Sequence, residues 1–138
     1  MSYLDILKAQ LKIDEGVKNK PYKDTVGKLT IGCGRNLDDV GLRDSEIDFL
    51  LDNDIASAEK DARILVRAFD QLNDVRKAVV LNMVFNMGFS VFSQFRQTIA
   101  AINSGDYTKA AAGMLASRWA QQVGARAQRL ADQMAKGE

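Results

Sequence analysis

Histidine is absent from this sequence, and cysteine and proline occur once each among its 138 residues. Without imidazole, the commonest general base and the commonest metal ligand are gone. One thiol and no histidine argue against a zinc site and a Ser-His-Asp triad. A single cysteine, Cys33, allows no internal disulfide, and folding needs no oxidising compartment. Acid–base chemistry is left to carboxylates, lysine and tyrosine. Long apolar runs are also missing. The start, "MSYLDILKAQLKIDEG", interleaves charge with apolar residues, whereas a secretory segment needs an unbroken apolar core of about 7–15 residues. No run approaches the roughly 20 residues of a membrane-spanning helix. The expectation is a protein that does not insert into membranes and that accumulates in a cytoplasm. A strong charge of one sign is lacking as well. Net charge is +1, with 9 basic and 12 acidic groups in residues 1–60 and 10 basic and 6 acidic in residues 61–138. That balance argues against a dedicated nucleic-acid binder.

What is present is ordinary for one globular domain: 46% hydrophobic and 27% charged residues, with no linker-like or repeated segment. Leu4, Leu7 and Leu11 recur at helical spacing over residues 2–14, ahead of a stop at Gly16. Residues 21–35 lose that period and mix β-formers with glycines, which predicts a hairpin turning near Val26-Gly27-Lys28. A long helix is expected from an N-cap at Asp44 or Ser45, with Ile47, Leu50, Leu51, Ile55, Ala58 and Ala62 as its apolar stripe. "NDVRKAVVLNMVFNMG" is apolar nearly all round and reads as a buried core helix ended by Gly88. Two short helices and a last one from Gly124 follow. Strands segregated from helices make the class α+β. The expected layout is one domain over 1–138, with a small β lobe at 15–40 and a connector helix and helical lobe at 45–138.

Three polar residues stand out in "IDEGVKNKPYKDTVGKLTIGCGRN": Glu15, Asp24 and Thr30. Each has a bland reading. Glutamates are mostly solvated, an aspartate in a turn bonds nearby amides, and threonine suits a strand. Hydrolysis of a glycosidic bond needs one protonated carboxyl to protonate the leaving oxygen and one ionised group to steer water. A helix end followed by a hairpin can present both to one cleft.

The stretch resembles the catalytic segment of bacteriophage lysozymes of the T-even type, glycoside hydrolase family 24. It shares the E-G after a first helix, the Y-K-D-T, the glycine turn and the T-I-G-x-G. "DVRKAVVLNMVFNMG" resembles the family's central buried helix, and "ASRWAQQ…RAQR" its S-R-W and following arginine. The three blocks occur in order and span nearly the whole chain. The resemblance implies a lysozyme-like α+β fold and a muramidase, working without metal or cofactor, that cuts the β-1,4 bond between N-acetylmuramic acid and N-acetylglucosamine in peptidoglycan, with inversion. It makes Glu15 the general acid, places Asp24 and Thr30 beside the attacking water, and pairs Arg126 with the acid. Asn36, Phe85 and Thr98 match sugar-site positions. Phe85 alone would read as a core aromatic, and Thr98 as a solvent-facing helix residue. The resemblance also implies a monomer, acting on the wall in the periplasm after release by a holin. Two alternatives stay open: a wall-binding domain without activity, and a lytic transglycosylase. Many members carry histidine after T-I-G-x-G; here Arg35 stands there, where an arginine can take a neighbouring carboxylate instead. Position 26, which can be acidic in the family, is valine, leaving Arg118 without that partner.

Overall fold

A computed structural model describes all 138 residues, and the chain divides into two compact units, Met1–Phe49 and Leu50–Glu138. The first unit opens with α1, Tyr3–Glu15. Ser2 and Asp5 cap it reciprocally, the hydroxyl taking the Asp5 amide and the carboxylate taking the Ser2 amide. Three antiparallel strands follow, β1 Lys18–Lys23, β2 Leu29–Gly32 and β3 Arg35–Asn36, in that order across the sheet. The expected hairpin is therefore a three-stranded sheet. β3 is only two residues long, below the length at which alternation can be read. Its register sets Thr30 against Asn36 and Ile31 against Arg35. β1 starts earlier than expected, at Lys18, and its pairing with β2 is irregular between Lys18 and Tyr22. Pro21, which has no amide hydrogen to give a ladder, sits in that irregular stretch of an edge strand.

α2, Asp44–Leu65, begins in the first unit and runs on into the second. Its start corrects the expected cap. The Arg43 carbonyl accepts the Ile47 amide, and the Glu46 carboxylate reaches back to the Arg43 amide at 2.8 Å. The cap is thus made by a residue inside the first turn and not by Asp44 or Ser45. Glu46 also takes a two-pronged grip from Arg35, Nη1 to Oε1 and Nη2 to Oε2, each at 2.7 Å. Arg35 Nη1 donates as well to the Gly41 carbonyl at 3.1 Å. One guanidinium thereby ties β3, the 37–43 loop and the first turn of α2 together. Of the expected α2 stripe, Ala58 and Ala62 are buried.

The second unit packs around α3, Asp74–Ser93, which buries Val79, Val80, Met83, Val84 and Phe92. Gly88, at φ 82° and ψ 169°, breaks it, so the helical pattern does stop where glycine allows a backbone that other residues avoid. By length and mean hydropathy, 1.2, α3 could cross a membrane. The packed face and the break suit a core helix better. α4 Arg96–Ser104, α5 Tyr107–Leu115, α6 Arg118–Val123 and α7 Ala125–Lys136 enclose it. The single helix expected over "YTKAAAGMLASRWAQ" is split, because the Ser117 hydroxyl caps a new helix by accepting the Ala120 amide. Arg76 fastens the chain's end: its guanidinium donates to the Met134 and Ala135 carbonyls and lies 3.7 Å from the Tyr107 ring centre.

The Arg35 hydrogen bond, and after it the Arg43 amide, lower the Glu46 pKa from the ordinary 4.5 to about 2. A folded-state value below the unfolded one stabilises the fold above the ordinary carboxylate range, and that stabilisation is lost as pH falls toward 2. Wild type should melt above Glu46→Gln at pH 6. The gap should close between pH 5 and pH 2, as read by thermal unfolding in a pH series.

Candidate active site

In the first unit the three candidate residues occupy three different local structures. Glu15 is the last residue of α1, exposed, with Gly16 turning the chain away. Asp24 forms the β1–β2 turn, where its amide donates to the Lys28 carbonyl and its own carbonyl accepts the Gly27 amide. One carboxylate oxygen, Oδ1, accepts two further amides, Val26 at 3.0 Å and Lys28 at 2.8 Å. Such a turn is the bland role foreseen for this aspartate, yet it also fixes the carboxylate and leaves Oδ2 uncommitted. Thr30 is the one buried polar residue of the small sheet, 3% exposed, and its hydroxyl donates to the Lys28 carbonyl at 2.9 Å.

The peptide groups around Lys28 therefore join Asp24 to Thr30. With its hydrogen committed to Lys28, the Thr30 oxygen faces any further partner as an acceptor. Asp24 Oδ2 is an acceptor too. Asn36 is held by Asp39, which takes its amide hydrogen and gives its own backbone amide to the Asn36 oxygen, both at 3.0 Å. Asp39 also pairs with Lys28 Nζ at 3.1 Å, which raises the lysine pKa and lowers that of the aspartate.

The second unit holds the other candidates. Arg126, half-buried on α7, donates from Nε and Nη2 to Asn82 Oδ1 on α3, at 3.0 and 2.6 Å. Both residues line an apolar pocket with Leu51, Ile55, Leu81 and Phe85. Phe85 is 49% exposed and so is not the core aromatic that its apolar helix suggested. Thr98, by contrast, is buried at 3%, not solvent-facing. It lines a groove of ≈ 510 Å³ with Phe95, Gln97, Gly113 and Ser117. A side chain at Gly113 would collide with the Thr98 hydroxyl, so the glycine leaves the room that the hydroxyl occupies. Trp119 is buried and gives its indole hydrogen to Asn86 Oδ1 at 2.8 Å.

Sequence reasoning missed Asn82, Asn86 and Gly113. For the two asparagines a signal existed: they stand four residues apart in "LNMVFNMG", hence on one face of an otherwise apolar helix. Gly113 lies in an alanine-rich helix and carries no such mark.

The sequence from residue 12 to residue 136 matches the family model described as phage lysozyme. The chain belongs to the phage lysozyme family. It is similar to the "Probable T4-type lysozyme 1" of Dictyostelium discoideum, 29% identical over 153 residues and covering 90% of each chain. It is 29% identical over 120 residues to the "SAR-endolysin" of Escherichia phage Mu, spanning 85% of this chain and 67% of that one. A third likeness, 27% over 148 residues, is to the "Pre-baseplate central spike protein Gp5" of Enterobacteria phage T4, 26% of whose length is covered. The chain is accordingly a glycoside hydrolase of the muramidase type, with peptidoglycan as its substrate and the bacterial cell wall as its place of action.

Replacing Asn86 by leucine removes the acceptor of a buried indole hydrogen. Urea unfolding should show a loss of about 1–3 kcal/mol, the usual cost of orphaning a buried donor. The same change should leave the far-UV spectrum intact.

Proposed function

We propose that this lysozyme hydrolyses the β-1,4 bond between N-acetylmuramic acid and N-acetylglucosamine with inversion. Glu15 acts as general acid, giving its proton to the leaving glycosidic oxygen as that bond breaks. Asp24 and Thr30 hold the water that attacks the anomeric carbon from the opposite face, and Asp24 takes up its proton. Inversion needs the two carboxyl groups about 6.5–9.5 Å apart, room enough for that water. Arg126 as partner of the acid, and Asn36, Phe85 and Thr98 as sugar contacts, carry over from the family on the same footing. A monomer that gathers in the host cytoplasm and reaches the wall once a holin opens the inner membrane completes the reading.

The observation that supports it best is the acceptor pair made through Lys28: Asp24 with one free oxygen, and Thr30 with its hydrogen already given away. A lytic transglycosylase has no use for that pair, because its product closes on the sugar's own hydroxyl. An inactive wall-binding domain would have no call for it either.

Glu15→Gln should lower the release of reducing ends from purified peptidoglycan by roughly 10²–10⁴-fold, the range that general-acid loss produces. Binding to the walls should be unchanged in a sedimentation assay. Equal activity in the two proteins would remove Glu15 from the mechanism. Proton NMR of the first products should show the α-anomer, and mass spectrometry should show one water added for each bond cleaved. Anhydro-sugar products would instead mean transglycosylation.

A further inference from the structure

The end of β2 and the turn to β3 carry two glycines of the same backbone class. Gly32 has φ +68° and Gly34 has φ +71°, and only Cys33 separates them. Their surroundings differ. A Cβ built on Gly32 would have no heavy atom within 4 Å. One built on Gly34 would stand 2.9 Å from Glu15 Oε2, 3.3 Å from its Cδ and 3.4 Å from its Cβ. The carboxyl of Glu15 thus lies along the Gly34 backbone, in the volume that any other residue would fill.

We propose that Gly34 is the positioning residue for the acid: its missing side chain is the space in which the Glu15 carboxyl rests. This inference rests on Glu15 being the general acid. The steric logic is specific. The Glu15 Cβ is fixed to the last turn of α1 and cannot retreat without moving the helix. The carboxyl is the free end of a flexible side chain and swings away at little cost. A methyl group at position 34 would therefore be accommodated by turning the carboxyl out of its place. The fold would survive, and the acid would no longer face the bond it must protonate. Positive φ at both glycines supplies the internal control, because alanine is strained at either position whereas only position 34 crowds the acid.

The test compares Gly34→Ala with Gly32→Ala on soluble, uncross-linked glycan strands, with kcat and KM determined separately. Both variants should melt lower than wild type by similar amounts. In Gly34→Ala, kcat should fall roughly a hundredfold with KM near the wild-type value, since small misplacements of a reacting group cost about that much. Gly32→Ala should keep kcat within about threefold on the same scale. Asparagine tolerates the left-handed backbone better than alanine, so Gly34→Asn and Gly32→Asn repeat the comparison should the alanine variants fold poorly. If the position-34 variants match their position-32 counterparts in kcat, or if they change KM alone, the proposal is overturned. Wild type that releases no reducing ends would sink the muramidase reading itself, a result separate from either outcome among active proteins.

Discussion

The backbone at Lys28 is the constraint on which the small unit's β1–β2 turn depends. Its amide binds the Asp24 carboxylate, and its carbonyl binds both the Asp24 amide and the Thr30 hydroxyl. A turn that long would otherwise be free to open, because the first unit has little buried apolar surface to close it. Hydrogen bonds to an ionised carboxylate are shorter and stronger than neutral ones, so the Asp24 carboxylate stiffens the turn. The Leu29 amide, next along the chain, is taken by the Asp38 carboxylate at 2.7 Å. Carboxylates thus brace both sides of the Lys28 turn, in a protein that has no histidine with which to do it.

In the second unit the polar demands are met by a different device. α3 is the core of that unit, yet two asparagines interrupt its apolar surface at one helical repeat. Asn82 serves Arg126, and Asn86 serves the Trp119 indole. Without these acceptors a half-buried guanidinium and a buried N–H would face apolar neighbours, which costs far more than the asparagines lose in helix propensity. No buried side-chain nitrogen or oxygen in the structure lacks a partner. The asparagines also aim α6 and α7 relative to α3, so packing and polarity settle the same arrangement.

How much of this was legible in the sequence follows from how locally each feature is determined. Helix periodicity and glycine stops are local, so α1, α2 and the break at Gly88 were visible. A two-residue strand has no period, and β3 could not be seen. The α2 cap depends on a glutamate folding back on Arg43 while Arg35, eleven residues earlier, holds it. That is a tertiary contact, and the local rule favouring aspartate or serine lost to it. Phe85 and Thr98 show the same limit. Phe85 reads as core because α3 is apolar and Thr98 reads as solvent-facing because it is polar, whereas exposure depends on which face of α3 or α4 meets a neighbour. Glu15, Asp24 and Thr30 have unremarkable surroundings in sequence and were picked out by the resemblance of their motif. Their burial and bonds were not foreseeable from spacing.

Arg35 indicates why the chain can do without the histidine common at that place in the family. A histidine paired with a carboxylate loses its charge as pH rises past its pKa, and the tie weakens with it. Guanidinium stays charged throughout the range in which a protein functions, and its planar fork meets both oxygens of Glu46. Its pKa is raised further by that hydrogen bond. The tie therefore has no upper pH limit of practical consequence, and its lower limit is set by Glu46 alone. Because the pair joins β3 to the start of α2, the sheet that carries Asp24 and Thr30 keeps its anchor while surrounding pH changes.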